Sequence, residues 1–567
     1  MSTLGRTIAY PSAPRRALPS AMTRAAQLWS DLGAPVTGRR VAGTVPIGVA
    51  AAVVALAASA WLVPSGWSLA YSDAQSHLTI ARRLFDTLSE PGLGQLGTVW
   101  LPIPHLLLVP FVLSLWAWHT GWGAAFLGAL CLAVTAAGCY RAAARWGYGR
   151  AARLTVIAAL LSNPTLLYLT STALTEPVLI ASMAASLAGL AFFTSRTRLS
   201  SAGELAIFAG LPAAAAVMSR YEGWAITLTG ALYVALVAWR RTNGNVRVTI
   251  ARTAGFSIPP ALAACWWLAY NWVVFHNPLE FLTGEYSANA QQAGMVASGD
   301  TTKGDLTATL ATLGQAVNAS VGPALLGLAG VGVGVILALT TQRRRNRLAF
   351  IVVAATSFLF LVVALYTGQA VIWNTATGET YIWNNRFGMP SILPAALLAG
   401  LAVDSLARRG TMSRLRNQAQ RVVAIAGTTA AALALLAQAG WFLQAPAERS
   451  FVITEASVSL SRGADSRAAA AFLAANYNGG RVLLDETAWT NAVLPQIGLP
   501  LVEYYLRADG VLFTEALADP AGHARWVWSS TTDGDQLAAV TGTTSFQHQY
   551  ERVFANTQIQ IFRMADR

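Results

Sequence analysis

Apolar runs of about 20 residues recur along this chain, the length a helix needs to cross a hydrocarbon layer. In lipid such a run has one way to satisfy its own backbone, which is to be helical. The runs fall near 44–64, 121–142, 151–170, 177–195, 203–218, 222–239, 254–275, 321–341, 348–367, 387–405 and 420–442. A further apolar stretch, Leu101–Trp116, is short and opens Leu-Pro-Ile-Pro. Counting it as a span would export Arg141, Arg145, Arg150 and Arg153, against the tendency of arginine to stay inside, so it is read as a helix lying on the outer surface. The expected fold is therefore a polytopic α-helical membrane protein of about eleven transmembrane helices, followed by a small C-terminal α/β domain.

Charge follows the same plan. The chain is 54% hydrophobic, 11% charged and carries a formal +13. With the arginine-rich connections placed in the cytoplasm, that side holds 25 of the 39 Lys+Arg but 3 of the 26 Asp+Glu. This is the bias of an inserted chain, with no basic stripe interleaved with aromatics, so nucleic acid is not expected as a partner. Lys303 is the sole lysine; with the abundant alanine, it points to a GC-rich bacterial host and a plasma-membrane location. Cys131, Cys139 and Cys265 lie in apolar segments without metal-ligand spacing.

Residues 1–43 carry six arginines and several prolines and read as a cytoplasmic, disordered tail. The membrane part is 44–445. Its outer loops hold Asp73, Glu176, Arg220 with Glu222, the Ala/Gly/Ser/Thr-rich stretch 276–320 and Trp373–Arg386; the stretch 276–320 reads as a mobile cover over a substrate. From Pro446 the composition becomes that of a soluble domain, 446–567, on the outer side. Arg481–Asp485, Trp526–Trp528 and Gln558–Phe562 read as strands, and Ala464–Asn476 and Phe513–Ala518 as helices.

An acid set against hydrocarbon is costly unless it has a task. Asp73 stands just past the first span, at the head of an amphipathic stretch with His77, Arg82 and Arg83. The commonplace alternative is that Ser72 or Asp73 caps that helix. Glycosyl transfer, however, needs a carboxylate to take the acceptor proton and cations for a departing phosphate, and both fall on the same face. Arg220 and Arg386 are the candidate cations, since a guanidinium fork suits phosphate; pairing with Glu222 or Glu379 is the competing role. His77 follows Asp73 by one turn and His105 sits on the surface helix; Glu176 either binds substrate or opens the span at Pro177; Glu222 and Asn385 adjoin the two arginines.

Taken in order, these segments resemble the GT-C superfamily of integral-membrane glycosyltransferases, in particular bacterial relatives of the protein O-mannosyltransferases and the aminoarabinose transferase. The resemblance is carried by the Asp73 loop, Trp100-Leu-Pro-Ile-Pro104, Asn163-Pro164 with Leu174-Thr-Glu-Pro177, Ser219-Arg-Tyr-Glu-Gly-Trp224, Tyr270-Asn271 with Asn277-Pro278, and Asn385-Arg-Phe-Gly-Met-Pro390 with Leu393-Pro394. It implies a sugar donor carried on a polyprenyl phosphate and an inverting transfer to a glycan, lipid or protein acceptor at the outer face. Asp73 would then be the base, with Arg220 and Arg386 on the lipid phosphate. Where many relatives carry a second acid directly after the first, this chain has Ala74. No cofactor is expected, with a divalent cation left open. The competing function is a transporter or flippase of lipid-linked sugars, for which broken helices in paired halves would be the sign.

Overall fold

Thr44–Leu62 is apolar on every face and helical throughout, with Val45, Val49, Val53 and Trp61 left on its outer surface. In the computed structural model, which describes residues 41–290, 293, 302–338, 349–378, 381–409, 417–487, 489–531 and 534–565, six more helices meet the same length and hydropathy standard. They are Trp122–Arg145, Glu176–Ser195, Glu222–Arg241, Val246–Phe275, Asn385–Ala407 and Ile425–Gln444, making seven among the described residues. The chain is thus a polytopic helical protein with membrane-spanning segments. The expected N-terminal tail 1–43 and the arginines at 343–347 lie almost wholly outside the described residues.

The remaining four expected spans take other forms. The run 151–170 is broken into Arg150–Leu161 and Pro164–Leu169. Pro164 lacks an amide donor and turns the residue before it away from helical geometry. Asn163 fills the break: its Oδ1 accepts from the Leu166 amide at 2.8 Å and its Nδ2 donates to the Ser320 and Val321 carbonyls at 3.0 and 3.1 Å. The run 203–218 is the shorter helix Ala202–Val217, with a π-helical turn at Ala206–Gly210, and 348–367 contributes Thr356–Thr367. The run 321–341 is Pro323–Ala338, which pairs with Leu306–Val321 across a bend of 108°.

That last helix corrects the reading of 276–320 as a loop. Leu306–Val321 is capped by Asp305, whose side chain accepts from the Ala308 amide. Thr309, Thr312, Leu313, Ala316, Val317 and Ser320 are buried along one face. Threonine and alanine at helical spacing pack a face closely, so polarity of composition did not mean exposure. Leu101–Trp116 becomes two short helices, Ile103–Val112 and Leu115–Thr120, neither long enough to cross a bilayer.

Two helices lie at the centre of the bundle. Asn385–Ala407 is 89% buried and Glu176–Ser195 78%, against 28% for Thr44–Leu62 and 22% for Val246–Phe275 and for Ile425–Gln444. The central pair begins with Asn385-Arg386 and with Glu176. Together with Glu222–Arg241, both run from that charged end to arginines at the other: Arg196, Arg241 and Arg409. Arg241 closes the far end by donating to the Phe193, Arg196 and Thr197 carbonyls.

The C-terminal region holds a five-stranded sheet in the order β2-β1-β3-β5-β4, with β1 Val482–Leu484, β2 Tyr504–Leu506, β3 Trp526–Ser530, β4 Tyr550–Ala555 and β5 Ile559–Met564. β2, β1 and β3 are parallel and fully buried, as strands covered on both faces must be. Val482 and Leu484 belong to the same buried cluster as Leu473 of the helix Ala464–Asn476, while Leu483 shares another with Phe513 of Val511–Ala518. β2 and β4 were not among the expected strands. The first is three residues long, and the second reads Tyr-Glu-Arg-Val-Phe-Ala, polar where a buried strand would be apolar.

This sheet domain grips the loop that carries Asp73. Asp86 Oδ1 accepts from the Val502 amide at 3.1 Å, Asp509 Oδ1 from the Ser89 amide at 3.1 Å, and the His119 ring bonds the Pro495 carbonyl at 2.7 Å. Nearer the site, the Tyr71 hydroxyl donates to the Val452 carbonyl at 2.7 Å.

Candidate active site

Asp73 lies in the first turn of the helix Ser72–Arg83. Its N-cap is Tyr71, in extended geometry and without a side-chain cap bond, so the capping role open to Ser72 or Asp73 is not the one taken. Instead Asp73 Oδ2 accepts from Arg386 Nη2 at 2.5 Å. Its other oxygen has no donor among the described residues, and the side chain is 29% exposed.

Arg386 is the hub. Its Nε donates to Glu176 Oε1 at 3.0 Å and its Nη1 to Glu455 Oε1 at 3.4 Å. A cation at the start of a helix faces the positive end of the helix dipole, and the carboxylates of Asp73 and Glu176 offset that. Glu176 Oε1 also accepts from Arg220 Nη1 at 2.9 Å, and Arg220 closes on Glu222 Oε1 through Nε and Nη2 at 3.0 and 2.9 Å. The two guanidinium groups share the face of Phe387, 4.3 and 5.7 Å from its centroid. The result is one continuous chain: Asp73, Arg386, Glu176, Arg220, Glu222. In such a buried network, removing one of the arginines leaves buried carboxylates short of a counterion, which holds the members in place.

Asp73 and Glu455 open onto a cavity of about 770 Å³. Its walls come from Leu69–Asp73 and Gln75, from Trp373 and Tyr381–Trp383, and from Thr454–Arg467 with Thr490, Val493 and Gln496 of the C-terminal region. Trp373 and Trp383 are joined as a two-residue antiparallel bridge, with ring centroids 5.1 Å apart.

The sequence-selected residues divide on this geometry. Asp73, Glu176, Glu222, Arg220 and Arg386 come together as a single network. Among them Asp73 lines the cavity; Arg220 and Arg386 do not, and their donors are taken by carboxylates. Glu379, the alternative partner of Arg386, lies outside the described residues. His77 and His105 are buried against each other, Nδ1 to Nε2 at 2.8 Å, with Trp100 4.4 Å from the His77 ring. Burial, reinforced by Arg386 and Arg220, pushes the His77 pKa down to about 3, so the ring is neutral and supplies no charge to a substrate. Asn385 is spent on the backbone: Nδ2 donates to the Trp373 and Trp383 carbonyls at 2.8 and 3.3 Å, and Oδ1 accepts from Asn374. It holds the tryptophan bridge closed. Arg82 pairs with Asp86 at 2.6 Å, and Arg83 reaches the Gln95 carbonyl and Glu486, so neither points to lipid headgroups.

Glu455, Arg462 and Arg467 were not among the expected site residues. Glu455 lies on the buried stripe of Phe451–Arg462 together with Val452 and Ala456, and an acid inside an apolar stripe was the available sign. Burial pushes its carboxyl up to about 8, with Arg386 only partly opposing. Among the described residues, no three His, Cys, Asp or Glu side chains group as a metal-binding set. No protein-family model matches this chain, and no curated protein matches it.

Proposed function

We propose that the chain is a membrane-embedded, inverting glycosyltransferase of the GT-C kind, using a sugar donor carried on a polyprenyl phosphate. One observation carries the reading: Asp73 lines a sugar-sized cavity, with one oxygen held by Arg386 and the other without a donor among the described residues. In the transfer, the acceptor hydroxyl oxygen attacks the anomeric carbon as the bond from that carbon to the phosphate oxygen breaks. The acceptor proton passes to Asp73, the anomeric centre inverts, and polyprenyl phosphate leaves. Arg386, Glu176 and Arg220 position the base in this scheme. The cavity volume lies in the range of small-molecule sites, about 300–1,000 Å³, and the faces of Trp373 and Trp383 suit a sugar ring.

The site lies at the end of the bundle that the charge bias places outside, where the acceptor would be a glycan, lipid or protein of the cell envelope. The test is transfer by purified protein in vesicles containing a polyprenyl-phosphate-linked sugar. Asp73→Asn is expected to lower the rate by about 10²–10⁴-fold, the range for losing a general base. Wild-type transfer in that variant would overturn the assignment. The transporter reading gains from the 108° break between Leu306–Val321 and Pro323–Leu337. It predicts instead that Asp73→Asn vesicles still move lipid-linked sugar between leaflets and that neither protein forms a glycosidic bond.

A further inference from the structure

The wall of the cavity formed by the C-terminal region carries positive charge that the network around Arg386 leaves untouched. Phe451–Arg462 ends at Arg462, the chain passes through Gly463, and a 13-residue helix, Ala464–Asn476, begins. Gly463 is the N-cap of that helix and offers no side-chain acceptor to its first amides. Arg462, Gly463, Ser466 and Arg467 all line the cavity. Among the described residues neither arginine has a carboxylate within ion-pair distance; Arg462 lies over the Tyr381 ring, 4.8 Å from its centroid. Ser466 is 1% exposed, and its hydroxyl has no hydrogen-bond partner among the described residues. The acid in the same turn, Asp465, is turned away: its carboxylate accepts from the Thr557 hydroxyl and its carbonyl from Asn556.

The charge balance of the cavity follows. Its two lining acids, Asp73 and Glu455, both face Arg386; Asp73 pairs with it through one oxygen, and burial pushes the Glu455 carboxyl up to about 8. Two guanidinium groups, a helix N-terminus and an unpartnered hydroxyl are left to face the same space. That set matches a phosphate group: forks for its oxygens, the positive end of a helix, and one further donor.

We propose that Arg462, Arg467 and Ser466, at the start of Ala464–Asn476, form the anion subsite that receives the phosphate of the lipid-linked donor. The proposal rests on the transferase reading and moves the leaving-group contact from the membrane arginines to the soluble region. The phosphate then departs along the wall that carries Arg462, while Asp73 stays with the acceptor.

The full-length protein in nanodiscs is titrated with a short-chain polyprenyl phosphate that bears no sugar. Arg462→Gln with Arg467→Gln is expected to weaken binding at least tenfold and to raise the KM for the donor more than it lowers kcat. Replacing both by lysine restores part of the affinity, and Asp73→Asn binds polyprenyl phosphate as the wild type does. Competition by inorganic phosphate marks a site that reads the phosphate group alone; competition only by polyprenyl phosphate marks one that also needs the lipid; either outcome supports the subsite. Wild-type affinity in the glutamine pair, with an unchanged melting temperature, overturns it. If polyprenyl phosphate binding needs the two arginines but no sugar is ever transferred, the transferase reading falls and the subsite stands. If transfer needs Asp73 but the glutamine pair leaves binding and KM unchanged, the subsite falls alone.

Discussion

Glu455 shows how one residue ties the soluble region to the bundle. It is buried, and one of its oxygens receives Arg386 at 3.4 Å. Burial raises its pKa from 4.5 to about 8. The folded protein therefore binds more protons at this position than the unfolded chain between those values, and the contribution of Glu455 to stability is lost as pH rises from 4.5 through 8. The melting temperature of the wild type is expected to fall over that interval, and Glu455→Gln to flatten the fall; equal slopes in scans of both proteins at pH 5 and pH 8 would refute the assignment. Histidine makes the contrast. His77 and His105, chosen from their spacing near Asp73, bond to each other in the interior, and nothing in the one-dimensional pattern separates a ring that meets a partner 28 positions away from one that meets a ligand.

At the level of elements, two glycines let the arginine loops reach the centre. A Cβ on Gly388 would lie 2.6 Å from the Ala316 backbone, and one on Gly223 would lie 2.1 Å from the Ala216 carbonyl oxygen. Each follows an arginine of the network by two or three residues, and each marks where two backbones come too close for a side chain. Gly388→Ala is expected to push the turn away from Leu306–Val321, carrying Arg386 from Asp73; the cost is about 1–3 kcal/mol by analogy with overpacked cores. Transfer activity should fall more than the melting temperature, which paired assays on one preparation would measure. Helices of high, uniform hydropathy were legible, as were Ala464–Asn476 and the strands β1, β3 and β5. Breaks were harder to see. Asn163-Pro164 divides an apolar run, and Leu306–Val321 forms a helix from residues of loop-like composition, because partners distant in sequence decide both.

For the molecule as a whole, the network and the arginine-rich connections lie at opposite ends of Glu176–Ser195 and Glu222–Arg241, which makes sidedness testable. In a Cys265→Ser background, Ser65→Cys and Ser545→Cys are expected to react with an impermeant maleimide in sealed right-side-out vesicles. Arg247→Cys should react only after permeabilisation, since Cys131 and Cys139 are buried and contribute no background. Labelling of Arg247→Cys from outside would reverse the assigned orientation. The joining of Asp73 to Arg386 and Arg220 was legible as a common membrane face. That the cavity would be closed by Arg462 and Arg467 was not, because those residues sit in a helix pair whose sequence reads as ordinary soluble surface.

Arg386 touches the helix Ser72–Arg83, a central helix and the C-terminal region at once, through Asp73, Glu176 and Glu455. It is therefore a rivet as well as an electrostatic brace. No substitution there can report on one contact in isolation, because the same cut that unseats Asp73 also loosens the seam between the helical bundle and the C-terminal region. Separating turnover from architecture has to begin away from that hub, at the cavity wall, with Asp73 on one side and Arg462 on the other.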